Sequence, residues 1–244
     1  MKRHLPNAIT SANLLCGCLA IQAAILGELP KSAFFVLLAA FLDFFDGMAA
    51  RLLKVSSPIG AQLDSLADVV SFGVAPSFMA FHLISRYSEN QSLAYVAFLL
   101  AIFSAVRLAK FNVDDRQSEQ FIGLPTPANA LFWLSLVLSV WQAQEFNYGE
   151  FLAEASVRLS QAPGILALLV LVFAYLLIAE MPLMSLKFKQ FGWKENRYRY
   201  ILLIIGAVLI ALFLFAAVPI ILILYLILSY IQERSKKQPN EIQS

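Results

Sequence analysis

Four aspartates, Asp43, Asp46, Asp64 and Asp68, interrupt apolar sequence within LDFFDGMAAR (42–51) and GAQLDSLADVVSFG (60–73). An ionisable residue inside a membrane-spanning helix is costly and by default marks a functional site. A helix turns about 100° per residue. Asp43 and Asp46 therefore share one face as an i,i+3 pair, and Asp64 and Asp68 share another as an i,i+4 pair. The two segments are joined by a short loop, so their helices run antiparallel and all four carboxylates lie at one membrane depth. Carboxylates that close repel strongly in a low dielectric. Either some carry protons, or cations hold them together. Oxygen-only ligands select Mg²⁺, Mn²⁺ or Ca²⁺, and the lack of His or Cys beside them argues against zinc. Four carboxylates suit two cations about 4 Å apart, an arrangement that clamps the oxygens of a phosphoryl group during displacement.

The residues around the two pairs fit a phosphate-bearing ligand. Gly47 and Ala50 leave a nearly bare helix face beside Asp46, and Gly60 does the same at the start of the next helix. Arg51 and Lys54 add positive charge where an anionic headgroup would enter. Close helix packing is the competing explanation for the small residues, as membrane anchoring is for the two cations.

These residues need a scaffold of spanning helices. The 244 residues are 60% hydrophobic and only 14% charged, against about 25% charged in soluble domains. Such a chain cannot cover a water-facing surface. At roughly 20 apolar residues per crossing, candidate spans fall near 8–27, 32–53, 62–84, 92–112, 126–144, 163–183, 199–215 and 218–232. The stretch from Tyr200 to Ile231 is too long for one crossing, and Pro219 offers the turn because it lacks the N–H a continuing helix needs. The expected architecture is all-α: a polytopic bundle in a single membrane domain over 1–244, its core about 1–183, with a further helix pair near 199–232 and a polar tail over 233–244.

Alternating the loops puts all but three of the 18 lysines and arginines on the side of the aspartates: only Lys31, Arg86 and Arg158 fall opposite. By the positive-inside rule both termini and the aspartates face the cytoplasm. The apolar run after Met1-Lys2-Arg3 shows no small-residue cleavage site and carries Thr10, Ser11 and Asn13, so a retained first helix is expected rather than a cleaved signal. Cys16 and Cys18 point in different directions and cannot pair.

Asp43-x2-Asp46-Gly47-x2-Ala50-Arg51-x8-Gly60-x3-Asp64-x3-Asp68 resembles, at every fixed position, the signature of the CDP-alcohol phosphatidyltransferases. The resemblance implies a six-helix core, a homodimer, metal ligation by Asp43, Asp46, Asp64 and Asp68, and a second role for Asp68 as general base on an acceptor hydroxyl. It implies a CDP site lined by Gly47, Ala50, Arg51 and Gly60. Asn7, Thr10 and Asn13 of the first helix reach the nucleotide if that helix packs beside the second, and polar helix packing explains them equally well. Two divalent cations, Mg²⁺ or Mn²⁺ with Ca²⁺ also fitting, are the expected cofactors; no organic cofactor and no nucleic acid partner are expected. The reaction implied is transfer of the phosphatidyl group of CDP-diacylglycerol to an alcohol, with release of CMP.

The signature does not select the alcohol. PNAITSANLLCG at the start, SFGVAPS after Asp68, RLAKFN at 107–112 and GLPTPANA at 123–130 resemble the bacterial, membrane-integral branch of the family that uses L-serine. Arg107 suits the serine carboxylate, while Asn112, Gly123 and Thr126 are candidates for the amine or for ordering the loop. Glycerol 3-phosphate and inositol phosphate acceptors are the alternatives within the family; both would call for a second cationic cluster. A cation transporter is the alternative outside it, but it predicts acids at the bilayer centre or matching broken helices in two halves, whereas these acids sit at one end of one helix pair. The expected location is the cytoplasmic membrane.

Overall fold

In lipid no water can satisfy stray backbone groups, so a chain of this composition must pair its N–H and C=O groups within helices. The computed structural model is accordingly helical along most of its length and describes residues 4–55, 57–114, 121–146, 150–186, 188, 190 and 192–241. Lys2, Arg3, Arg116, Lys187 and Lys189, counted above among the loop cations, lie outside the described residues.

Helix α1 (Leu5–Ile25) runs away from the end that carries the aspartates, and α2 (Leu29–Leu53) returns to it. Helix α3 (Pro58–Asp68) continues through a π-helical turn, Val69–Val74, into α4 (Ala75–Tyr87). A 3₁₀ segment, Gln91–Phe98, leads into α5 (Leu99–Val113), which returns. Helix α6 (Thr126–Glu145) crosses outward, α7 (Glu150–Ser160) lies across the far end, and α8 (Pro163–Ile178) comes back. Helices α9 (Trp193–Phe213) and α10 (Val218–Glu241) close the chain as a hairpin around a 3₁₀ turn, Leu214–Ala217. Two short strands, β1 (Phe121–Ile122) and β2 (Pro182–Leu183), pair antiparallel at the aspartate end. Prolines open α1, α2, α3, α6 and α8 in the first turn, where no intrahelical bond is lost.

The chain is a multi-pass membrane protein. Among the described residues five stretches are long and apolar enough to cross a bilayer, and α7 with α8, bent by 93°, brings the number to six if the pair counts as one span. The longest stretch, Asn196–Ser235, is the one folded at Leu214, close to the turn expected at Pro219. Its antiparallel packing is shown by Ile221 against Gly206 and by Tyr198 Oη, 3.2 Å from Ser235 Oγ. Helix α6 has fewer apolar residues yet is the most thoroughly buried, with Trp133, Leu134, Leu136 and Leu138 in the main core.

Three expectations need correction. The sixth span stops at Ile178 instead of 183, because 182–183 leave the helix to pair with β1. Helix α7 was not anticipated: EFLAEASVRLS is too short and too charged to read as a span. The helix expected over 218–232 runs on to Glu241.

Small residues set how closely the helices meet. A Cβ on Gly17 of α1 would fall 2.5 Å from Ser71 Oγ, and one on Gly73 would fall 2.8 Å from Ser104 Cβ. Both contacts clamp the π turn, and Ser71 Oγ donates to the Asn13 carbonyl at 3.1 Å. Asp68, the residue before the π turn, is thereby fixed against α1 and α5. At the opposite end Gln142 of α6 serves the exposed backbone of the α9–α10 turn: its Nε2 donates to Phe213 O and its Oε1 accepts from Phe215 N–H, each at 3.2 Å.

Candidate active site

Antiparallel α2 and α3 bring Asp43, Asp64 and Asp68 together, with one carboxylate oxygen of each within 4.8 Å of the others. Asp46, one turn further along α2, is 6% exposed and accepts a 2.7 Å hydrogen bond from Thr10 Oγ1 of α1. It faces, with Asp64, a cleft lined also by Asn7, Thr10, Gly47, Ala50 and Gly60. The two pairs drawn from helical spacing thus become a cluster of three carboxylates and a fourth at the cleft wall.

The floor of the cleft is the start of α3. Ser57 caps it, accepting from Gly60 N–H at 2.9 Å, and Pro58 supplies the first turn. A Cβ on Gly60 would lie 3.0 Å from Asn7 Oδ1 and from Ser57 Oγ, so glycine keeps the backbone open where the helix N-terminus favours anions. Arg51 is exposed at the last turn of α2, with Nη1 3.6 Å from the position of a Cβ on Gly47. Lys54 ends α2 in a left-handed conformation, φ 52°. Asn13 is placed differently: it is fully buried, one turn deeper than Thr10, and its side-chain atoms have no hydrogen-bond partner.

The four residues proposed for the acceptor sit on α5, on the loop before α6 and in the first turn of α6. Arg107 is 7% exposed on α5, with its Nε lacking a partner and its charge within electrostatic reach of Asp68 and Tyr225. Asn112 lies at the end of α5, donating through Nδ2 to Ser65 Oγ at 3.0 Å, next to Asp64. Gly123 has φ +74°, and a Cβ there would lie 2.9 Å from Leu177 O; its N–H donates to Met181 O at 3.0 Å, and Leu124 N–H donates to Leu176 O at 2.8 Å. This loop is therefore tied to the end of α8. Thr126 is fully buried in the first turn of α6 and its hydroxyl lacks a partner. Asn7, expected with Thr10 and Asn13 within reach of the nucleotide, lines the cleft. Asn129, buried on α6 with its amide unpartnered, had no place among the chosen residues, and only its polar type in an apolar helix could have flagged it.

Asp68 Oδ1 is buried without a hydrogen-bond partner, and three carboxylates converge on one point. Both features suit a divalent cation held by oxygen ligands, and this acidic group could hold one.

The chain matches the family model for CDP-alcohol phosphatidyltransferase over residues 3–232 and belongs to that family of transferases. It is similar to three curated proteins, each called CDP-diacylglycerol–serine O-phosphatidyltransferase. The Bacillus subtilis protein is 40% identical over 124 residues, 51% of this chain and 70% of that protein. The Helicobacter pylori (26695) protein is 37% identical over 135 residues, 54% and 56% of the two chains. The Mycobacterium tuberculosis (H37Rv) protein is 36% identical over 154 residues, 60% and 51%. The chain thus spans little more than half the length of the last two relatives.

Proposed function

We propose that this protein transfers the phosphatidyl group of CDP-diacylglycerol to the hydroxyl of L-serine, releasing CMP. The observation that carries this is the cluster of Asp43, Asp64 and Asp68 beside an open, glycine-floored cleft, in a chain similar to serine-using relatives. In this account Thr10, Gly47, Ala50, Arg51 and Gly60 receive the nucleotide and diphosphate. Arg51 and the α3 N-terminus supply positive charge to the diphosphate, and the bare helix faces let it approach the backbone.

Asp43, Asp46, Asp64 and Asp68 would hold two divalent cations, Mg²⁺ or Mn²⁺, which when bound offset the diphosphate charge and draw electron density from the β-phosphorus. Asp68 takes the proton of the serine hydroxyl as that oxygen forms its bond to phosphorus and the bond to CMP breaks. Thr10 holds Asp46 in place, and the clamped π turn holds Asp68. No covalent enzyme intermediate is required. The concentration of cationic residues at the aspartate end supports a site facing the cytoplasm, across the cytoplasmic membrane. The homodimer implied by the family resemblance belongs to the same proposal.

The test is CMP release from CDP-diacylglycerol by the purified protein, with each acceptor alone. Release with L-serine is expected; release with glycerol 3-phosphate and none with serine would overturn the choice of alcohol.

A further inference from the structure

A cavity opens at the end of the bundle opposite the aspartates, where the α1–α2 turn, the ends of α4 and α6 and the crossing helix α7 meet. Its interior is apolar, with Leu29, Leu83 and Val140 among its walls. Its rim carries Arg86, Gln144 and Gln161, all exposed, beside Tyr87 and Trp141. Of the three cations expected at this end, two already face a carboxylate: Lys31 is 2.8 Å from Glu28, and Arg158 is 3.8 Å from Glu154. Arg86 has no carboxylate partner among the described residues; its guanidinium lies over the Tyr87 ring, 5.6 Å from the centroid. The apolar lining continues beyond the cavity. Pro30 of the cavity wall, Phe34 and Leu38 recur at intervals of four along α2 and so share one face, and Phe34 and Leu38 are 43% and 46% exposed. Phe34 also packs edge-on against Trp141, with ring centroids 5.5 Å apart. The cavity therefore runs on into an apolar stripe on the outside of a spanning helix.

We propose that this cavity binds a phospholipid of the leaflet opposite the aspartates: Arg86, with the amides of Gln144 and Gln161, takes the phosphodiester, and an acyl chain lies over Leu29 and Val140 and along Phe34 and Leu38. A phosphodiester carries one negative charge and several acceptor oxygens, which suits one guanidinium and two amide donors. The level in the membrane fits as well, since Tyr87 and Trp141 are the side-chain types that sit among the headgroups. A free phosphate would satisfy Arg86 and leave the apolar interior and the α2 stripe uncovered. A hydrocarbon chain without a phosphate would cover both and leave Arg86 unpaired. A phospholipid has both parts, joined at the distance of a headgroup from its chains. Because α2, α4, α6 and α7 all border the cavity, a lipid held there fastens them together and stabilises the folded chain by binding it in preference to the unfolded one.

The test is native mass spectrometry of the delipidated full chain in detergent, titrated with dioleoyl phosphatidylglycerol, with dioleoylglycerol (no phosphate) and with glycerophosphoglycerol (no chains). The wild type should hold a first phosphatidylglycerol more tightly than those that follow, and more tightly than either fragment. Arg86→Gln should weaken that first affinity about tenfold, the loss of one charge-assisted contact, and leave dioleoylglycerol unaffected. Arg86→Lys, which keeps the charge, should fall between the two. The unfolding midpoint of Arg86→Gln without lipid should match the wild type, because Arg86 is exposed, while the rise that phosphatidylglycerol gives the wild type should shrink. Equal phosphatidylglycerol affinity in the wild type and Arg86→Gln would overturn the site. Glycerophosphoglycerol bound as tightly as the lipid would overturn it too, by marking a site for a soluble phosphodiester. A second copy of the chain as the occupant would appear in the same spectra as fewer dimers of Arg86→Gln at unaltered lipid occupancy, and would equally overturn it.

Discussion

Two polar regions share one end of this bundle and are built on opposite principles. On α2 and α3 the charges are alike: Asp43, Asp64 and Asp68 meet within 4.8 Å, with Asp46 close by and held by Thr10. Between α5 and α8 the charges are mixed, with Arg107 and Lys110 set against Asp114 and Glu180. A like-charged cluster in a low dielectric is incomplete by itself and calls for cations from outside. A mixed lining is already near balance. The contrast separates a region that calls for cations from one whose own charges are mixed.

The sharpest way to break the comparison is to remove charge from the first region alone. Asp64→Asn, and separately Asp43→Asn, should abolish CMP release, as should chelation, with Mg²⁺ or Mn²⁺ restoring the wild type only. A variant that keeps wild-type turnover in a chelator would show that the cluster needs no cation. Next in size is Asp68→Asn. Loss of a general base lowers kcat by about 10²–10⁴-fold, and the added loss of a ligand puts this variant at or beyond the upper end. A CDP-lipid binding measurement should show the substrate still held. Normal turnover would remove Asp68 as the base.

Smaller effects test the scaffold. Gly17→Ala drives a methyl to 2.5 Å from Ser71 Oγ and should cost about 1–3 kcal/mol of stability, read as a lower midpoint of thermal unfolding in detergent. Turnover should fall with it, because the π turn beside Asp68 moves. Gln142→Leu strands Phe213 O and Phe215 N–H at the far end, at about 1–3 kcal/mol. It lies far from both regions, so the unfolding midpoint should drop while KM for either substrate holds. A shift in KM would show that the α9–α10 turn communicates with the site.

The like-charged region was legible in the sequence because its information is local. Two intervals of three and four residues place the carboxylates, and a short loop between apolar runs forces the helices antiparallel. The mixed region was only partly legible. Arg107 stands out as a cation in an apolar helix, but Lys110 and Glu180 are 70 residues apart and line one cavity where α8 stops at Ile178. That stop depends on the Phe121–Leu183 and Ile122–Pro182 pairings and on Gly123 at φ +74°, contacts with no periodic signature. The π turn was hidden for a different reason. VVSFGV reads as ordinary apolar helix, and its widened turn is set by what packs on it from α1 and α5. The amide of Gln142 likewise looked like a residue near a helix end, and its task appears only when the α9–α10 turn arrives beside it.

Direct cation binding tests the central claim, that the like-charged region is completed by metal. The measurement is the electron paramagnetic resonance signal of Mn²⁺ titrated into the purified protein in detergent without substrate. The wild type should remove Mn²⁺ from the free pool at a saturable site, and Asp43→Asn with Asp64→Asn together should abolish that uptake while the protein stays folded. Unaltered Mn²⁺ uptake by the folded double variant would contradict it.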